Sequence, residues 1–172
     1  MKNIKKIKPY LLLICFLINT LCVNPSYSLS SREDLFKNAL NLSSSGEFNL
    51  AFKQWNKYLE LFPDDAAALS NRGNIKLVIG DPKGAIDDQD KAIKSDPDEV
   101  DPYINRGIAE ESLGLWLQAK KDYLYVISKD NDNFSALYNL ANVEGSLSDW
   151  ESARKLFSKA SESNPGFAMA RS

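Results

Sequence analysis

The chain has 172 residues, of which 21 are Lys or Arg, 23 are Asp or Glu, two are Cys and none is His. The absence of His excludes His-based catalytic triads, His general bases and His metal ligands. A net charge of −2 argues against a nucleic-acid-binding protein, which needs a basic face.

The N-terminal segment, residues 1–28, differs in composition from the rest of the chain. Four lysines without any acidic residue precede a mostly apolar stretch over residues 10–23. This stretch is too short to cross a bilayer as a helix, which takes about 20 residues. With small residues at Ser26 and Ser28, the segment is typical of a signal peptide cleaved after Ser28. We therefore expect export, and the alternative is a membrane anchor formed by residues 10–23.

Both cysteines, Cys15 and Cys22, lie within this leader. If the leader is removed, disulfides, Cys nucleophiles and Cys-based metal sites are excluded for the remainder. Residues 29–172 keep 17 basic and 23 acidic residues, which gives them a formal charge of −6. We expect no catalytic residue, no metal site and no cofactor, and we interpret the chain as a non-enzyme.

The rest of the chain is periodic, because equivalent residues recur at positions i and i+34. Three columns carry this period: Ala51, Ala85, Ala119 and Ala153; Gly46, Gly80 and Gly114, with Ser148 in the fourth place; and Pro63, Pro97 and Pro165. Four units fit without insertion, over residues 32–65, 66–99, 100–133 and 134–167. A linker at 29–31 precedes them, and residues 168–172 are predicted to begin a fifth unit.

Each unit is predicted to form a helical hairpin. In the second unit, Gly80 follows the first helix as a left-handed C-cap. Asp81 and Pro82 then supply the N-cap and the first position of the second helix. Asp101 and Pro102 are expected to start the next helix in the same way. Two columns of large residues are predicted to fill the space between helices: Trp55, Tyr123 and Phe157, and Phe48, Trp116 and Trp150.

These columns resemble the tetratricopeptide repeat (TPR). The family pattern is large at repeat position 4, small at 8, Gly at 15, Ala at 20, aromatic at 24, small at 27 and Pro at 32, and most of these positions match. Gln89 departs from it at position 24, and Tyr58 and Val126 depart at position 27. Position 11, usually aromatic in the family, also departs, with Leu42, Lys76, Glu110 and Glu144. The resemblance implies an all-α, right-handed superhelix of four helix-turn-helix repeats with a concave face.

The leader and the Asn-Arg-Gly triplets at residues 71–73 and 105–107 are similar to those of small exported TPR proteins from photosynthetic bacteria and the plastid lumen. In those proteins, such modules are linked to the assembly of complexes. The resemblance therefore implies a location in a periplasm or a thylakoid lumen.

Two columns change their chemistry together. Position 7 reads Asn38, Arg72, Arg106 and Leu140, and position 23 reads Gln54, Asp88, Asp122 and Leu156. Amide faces amide, Arg faces Asp twice and Leu faces Leu, which indicates contact between the two helices of each hairpin. We predict structural Arg72–Asp88 and Arg106–Asp122 ion pairs.

The resemblance also implies that the first helices of the hairpins line the concave groove. The residues expected there are Asn71, Asn74, Asn105, Asn139 and Asn142, with Ile104, Ile108 and Tyr138 as apolar contacts. An Asn side chain carries both a donor and an acceptor, so these residues are predicted to bind the backbone of an extended peptide. The alternative is that they order only local hydrogen bonds. A clamp for carboxylate tails is excluded because positions 2 and 5 hold no cation.

The sequence thus predicts a non-catalytic adaptor that binds a peptide or a protein surface. Nucleic acid is not expected as a partner, and membrane contact is expected only through an uncleaved leader. The alternative is a scaffold that forms homo-oligomers through its C-terminal end, where Leu147, Leu156 or Phe157 would be partly uncovered. It stays open whether the chain is a shortened version of a longer array.

Overall fold

The computed structural model describes the backbone of residues 25–164 and the side chains of residues 32–164. The predicted stub at 168–172 and nearly all of the predicted leader lie outside the described residues. The described part forms eight helices and no strand, so the prediction of an all-α repeat fold is confirmed. No helix among the described residues is long and apolar enough to cross a membrane.

The helices form four consecutive hairpins, each of two antiparallel helices. In chain order they are α1 Pro25–Ser44, α2 Phe48–Leu61, α3 Ala66–Val78, α4 Pro82–Ser95, α5 Asp101–Ser112, α6 Trp116–Lys129, α7 Phe134–Ser146 and α8 Trp150–Ser163. Each helix packs on its neighbours in the chain, and first helices also contact the first helices of adjacent hairpins. These contacts place α1, α3, α5 and α7 side by side along one face.

Left-handed residues close the turn within each hairpin. Gly46, Gly80 and Gly114 have φ angles of +78°, +88° and +72°, and Ser148 takes the same conformation at +67°. Glycine adopts this conformation without steric cost, whereas Ser148 adopts it at a cost because it has a Cβ atom. The Asp81 side chain then caps α4 by accepting a hydrogen bond from the Gly84 amide, as predicted.

The start of α5 differs from the prediction. Asp101 is the first residue of the helix rather than its N-cap, and Val100 stands at the cap position without a side-chain hydrogen bond. The Glu99 carboxylate accepts the amide hydrogens of Val100 and Asp101 instead, at 3.1 and 3.4 Å. A longer side chain one residue before the cap therefore replaces the expected Asp.

Residues 29–31, predicted to be a linker, belong to α1. The helix begins at Pro25, which suits a first helical position, and no further Pro or Gly interrupts the chain before Gly46. Nothing in this segment therefore stops the helix from running through the expected linker.

The large residues of the two predicted columns pack in the first and third hairpins, but not fully in the fourth. Trp55 and Tyr123 are fully buried, whereas Trp150 is 70% exposed, so the prediction that Trp150 fills the core is wrong. Within residues 25–164, only α7 packs against α8, and no helix lies over the outer face that carries Trp150. Phe157 is half-buried against Tyr138, with ring centroids 5.5 Å apart.

Candidate functional site: the groove along the first helices

Two pockets lie along the face formed by the first helices. One has a volume of about 430 Å³ and includes Arg32, Phe36 and Lys37 of α1. The other, of about 240 Å³, lies between α3 and α5. Both use repeat positions 1, 2, 5 and 6 of consecutive hairpins, so they are equivalent parts of one groove.

The pocket between α3 and α5 brings together three of the five predicted asparagines, Asn71, Asn74 and Asn105. Ser70 contributes to the same wall and accepts a hydrogen bond from the Asn105 amide at 3.1 Å. This bond joins two consecutive hairpins. The asparagines of the groove therefore also support the packing of one repeat on the next.

Hydrogen bonds fix the orientation of two pocket amides. The Asn71 amide nitrogen donates to the Ala67 carbonyl at 2.8 Å, and a carbonyl can only accept. The Asn71 Oδ1 atom must therefore point the other way. Buried Gln89 donates to the Ser70 carbonyl at 3.0 Å and to Asn74 Oδ1 at 3.2 Å, which leaves the Asn74 Nδ2 group as a donor.

The other predicted groove residues lie apart from this pocket. Asn139 and Asn142 are half-buried on α7, and Ile108 is 38% exposed on α5. Tyr138 stacks on Phe134, with ring centroids 5.8 Å apart.

The expectation that Ile104 lines the groove is wrong. Its side chain is only 8% exposed and packs in the core formed with Tyr123 and Val126. Ile104 thus packs among buried residues of α6 and α7, because burial of a large apolar side chain is favourable.

Three carboxylates form the rim of the pocket between α3 and α5. Asp96 and Glu99 belong to the loop before α5, and Asp101 is its first residue. No Lys or Arg lines this pocket. Among the described residues, no group of three or more Asp or Glu side chains is arranged to hold a metal ion. The pocket therefore offers hydrogen bonding and negative charge.

Behind the groove, Arg72 binds Asp88 through two parallel hydrogen bonds of 2.7 Å, as the paired columns predict. Lys76 joins the same carboxylate at 2.9 Å, and Arg72 also donates to Asn56 of the preceding hairpin at 2.9 Å. Burial alone would raise the pKa of Asp88, but the hydrogen bonds from Arg72 and Lys76 hold this pKa below its ordinary value.

Arg106 makes the equivalent contacts one repeat later. It donates two hydrogen bonds of 2.7 Å to Asp122 and one of 2.6 Å to Asp90 of the preceding hairpin. The Asp122 side chain is only 5% exposed. In the last hairpin the same two positions hold Leu140 and Leu156, which pack in the same apolar cluster. These positions thus hold a hairpin together with either charge or apolar contact.

In the last hairpin, position 11 contacts the preceding hairpin. Glu144 forms a 2.7 Å ion pair with Lys120, which stands at position 21 of the third hairpin. For Glu110 the equivalent position holds Ile86, which offers no charge. The Glu110 side chain is nevertheless buried, and its Oε2 atom has no hydrogen-bond partner among the described residues.

The environment of Glu110 favours the neutral acid. Burial, followed by repulsion from Asp122, raises the pKa of Glu110 from 4.5 to about 7. Attraction to Arg106 and Lys121 opposes this shift, and Asp90 adds to it. The neighbouring Glu111 accepts a hydrogen bond from the Tyr123 hydroxyl at 2.5 Å, and burial raises its pKa as well.

A third cluster ties α1 to the start of α3. Arg32 donates to the Tyr58 hydroxyl at 2.9 Å and to Asp65 at 2.8 Å, and Tyr58 donates to Asp65 at 2.7 Å. Burial would raise the pKa of Asp65, but hydrogen bonds from Tyr58, the Ala68 amide and Arg32 lower it. Asp65 is also the N-cap of α3, so the cluster fixes one end of the groove.

Sequence reasoning missed Ser70, Asp96 and Glu99 of the pocket, and also Gln89, which donates hydrogen bonds to Ser70 and Asn74. A signal existed for Gln89, because it replaces the aromatic residue that the repeat pattern expects at position 24. Asp96 and Glu99 lie in an acidic loop, which sequence alone cannot place beside the asparagines.

Comparison with known proteins gives a family match in the first part of the array. Residues 36–100 match the profile of the family described as Tetratricopeptide repeat. "Tetratricopeptide repeat protein 36" of Danio rerio is 33% identical over 61 residues, which are 36% of this chain. The match spans about a third (33%) of the length of that relative.

Solved structures share the fold over most of the chain. A crystal structure of the MamA protein is 24% identical with a TM-score of 0.71, and the match covers 84% of this chain and 79% of that one. The first TPR of Spaghetti (RPAP3), bound to the HSP90 peptide SRMEEVD, is 22% identical with a TM-score of 0.66, covering 68% and 93%. Residues 36–100 thus match the tetratricopeptide repeat family, and the chain from α1 to α8 has the fold of a TPR solenoid.

Proposed function

We propose that this protein is a non-catalytic adaptor that binds an extended peptide in the groove along its first helices. The observation that carries this proposal is the pocket between α3 and α5. There Asn71 presents an acceptor and Asn74 presents a donor within one cavity. A peptide backbone offers the complementary donor and acceptor at every residue. Such contacts give affinity without reading the peptide sequence.

A relative of the same fold supports the proposal, because the first TPR of Spaghetti (RPAP3) is bound to a peptide. We further propose that this chain acts after export, in a periplasm or a thylakoid lumen, where it assists the assembly of a complex. The composition of the N-terminal segment, residues 1–28, supports this location.

We expect that replacing Asn71, Asn105 and Asn139 with alanine weakens partner capture at least tenfold. The fold should survive, since the hydrogen bonds of Asn71 and Asn105 are each worth only about 1 kcal/mol. Capture from an envelope or lumen extract with the full-length chain as bait, quantified by mass spectrometry, measures the effect.

The matched control for this experiment replaces three exposed asparagines outside the groove, Asn41, Asn49 and Asn131. It removes the same number of amides and should capture partners as the unchanged chain does. Equal capture by the groove variant and the unchanged chain would contradict the proposal.

A second candidate function is self-association through the last hairpin. Trp150 is 70% exposed and Leu147 is 36% exposed, and a shallow pocket of about 430 Å³ lies between Trp150 and Phe157. A Trp with this exposure is a common anchor of protein interfaces. A second copy of the chain is one surface that would cover it.

If self-association occurs, Trp150→Ser should convert oligomers into monomers at tens of micromolar, because it removes the largest apolar surface of that end. Light scattering measures the mass. Leu117→Ser is the control, since Leu117 is equally exposed, at 70%, on α6. An unchanged chain that is already monomeric at this concentration would reject the candidate.

A further inference from the structure

We propose that the pocket between α3 and α5 selects a Lys or Arg side chain of the bound peptide. This inference rests on the proposed peptide-binding function and adds the chemistry of the partner. The expected partner segment is extended and carries at least one basic residue opposite this pocket.

The first support is the unbalanced charge of the pocket rim. Asp96, Glu99 and Asp101 form no ion pair with any described Lys or Arg. Their recorded contacts are backbone amides, such as the amide of Asp98 on Asp96 and the amides of Val100 and Asp101 on Glu99. Three like charges thus lie around one cavity of about 240 Å³ without a compensating cation.

The second support is independent of these charges and concerns amide oxygens. Asn71 and Asn105 use their amide nitrogens in hydrogen bonds to the protein, and no described donor reaches either Oδ1 atom. Both asparagines line the cavity, and buried Gln89 holds the neighbouring Asn74 by donating a hydrogen bond to its Oδ1 atom. An ammonium or guanidinium group donates several hydrogen bonds and accepts none, which matches this set of acceptors.

The start of α5 disfavours the opposite charge. A helix N-terminus commonly binds an anion through its free amides. Here the Glu99 carboxylate already accepts hydrogen bonds from the amides of Val100 and Asp101. Pro102, at the second helical position, has no N–H group. An acidic peptide residue would therefore meet carboxylates without finding free donors.

The test is selection of a random dodecapeptide library, displayed on phage, against the immobilised full-length chain. We expect the selected peptides to be enriched in Lys or Arg. Their synthetic copies should bind the Glu99→Gln, Asp101→Asn double variant at least fivefold more weakly than the unchanged chain. Both substitutions keep the size of the side chain and one acceptor oxygen, replace the other oxygen with an NH2 group and remove the negative charge.

The control variant, Glu60→Gln with Asp87→Asn, changes the net charge equally at exposed positions outside the pocket. It should bind the selected peptides as the unchanged chain does. Selected peptides that need Asn71 but carry no excess of basic residues would overturn the charge inference and leave the groove function standing. A library that yields no enriched peptide would overturn both. If the control variant weakens binding equally, the effect is due to the net charge of the chain rather than to the pocket, and the inference is overturned.

Discussion

Replacing Arg106 with alanine is expected to lower the free energy of unfolding by about 3 to 5 kcal/mol, because it leaves a buried carboxylate unpaired. Asp122 is 5% exposed and accepts two hydrogen bonds from Arg106. The substitution also leaves the charge of Asp122 uncompensated, and Asp122 already repels the ionised Glu110. Urea unfolding followed by circular dichroism measures the change.

A surface pair provides the control for this prediction. Lys155→Ala breaks an ion pair with Glu151 in which both side chains are 68% exposed. The expected loss there is under about 1 kcal/mol. A similar loss in the two variants would show that burial of Asp122 has no energetic consequence.

The last hairpin suggests how to restore stability. Its Leu140 and Leu156 occupy the positions that hold Arg106 and Asp122 in the third hairpin. The double variant Arg106→Leu, Asp122→Leu should therefore recover most of the stability that Arg106→Ala loses. Apolar replacement of a buried ion pair is often neutral or stabilising. A double variant as unstable as the single one would indicate that the two sites differ in shape.

The second large effect is a pH dependence caused by Glu110. Its pKa is 4.5 ordinarily and about 7 in the folded protein. The native state therefore binds this proton more tightly than the unfolded state does. The resulting stabilisation is complete below pH 4.5 and is lost as the pH rises through 7. The shift corresponds to at most about 3 kcal/mol, and solvent screening reduces the expected loss to about 2 kcal/mol.

Urea unfolding at pH 5, 6, 7 and 8 should show this decline, and Glu110→Leu should remove most of it. Glu111, whose pKa is also raised, accounts for a residual slope. Below pH 4 the stability should fall again, because Asp65 and Asp88 have lowered pKa values and lose favourable contacts on protonation.

Ile86→Lys tests the cause of the Glu110 shift. It places a lysine where Lys120 stands beneath Glu144, at the equivalent position of the preceding hairpin. We expect the decline between pH 5 and 8 to become smaller, because the ionised Glu110 gains a partner. Glu151→Gln, at an exposed site, should leave the decline unchanged. A decline that survives Glu110→Leu would assign it to other groups.

Much of the fold follows from the repeat period, because the regular spacing fixes both the turns and the apolar faces. Gly80, Asp81 and Pro82 mark one turn by chemistry that needs no tertiary contact. The errors lie where tertiary contact decides. Trp150 follows the core pattern but has no described helix over it, and α5 takes its cap interaction from Glu99.

The site was less predictable than the fold. Columns compared within one repeat find Arg72–Asp88 and Arg106–Asp122, since these partners lie in the same hairpin. Contacts between hairpins need position 11 to be compared with position 21 of the preceding unit. That comparison would have indicated Lys120–Glu144 from sequence alone. To predict the carboxylates of the pocket rim, one must know the path of an irregular loop, and no periodic pattern encodes that path.

The pairing of positions 21 and 11 has a consequence for the order of the hairpins. Lys120 and Glu144 join the third hairpin to the fourth, whereas the position equivalent to Lys120 in the second hairpin holds Ile86. Deleting the third hairpin would set Glu144 against Ile86, so a second carboxylate would be buried at a junction without a cation. The third and fourth hairpins are therefore matched neighbours, and a rearranged array would lose the ion pair that joins them.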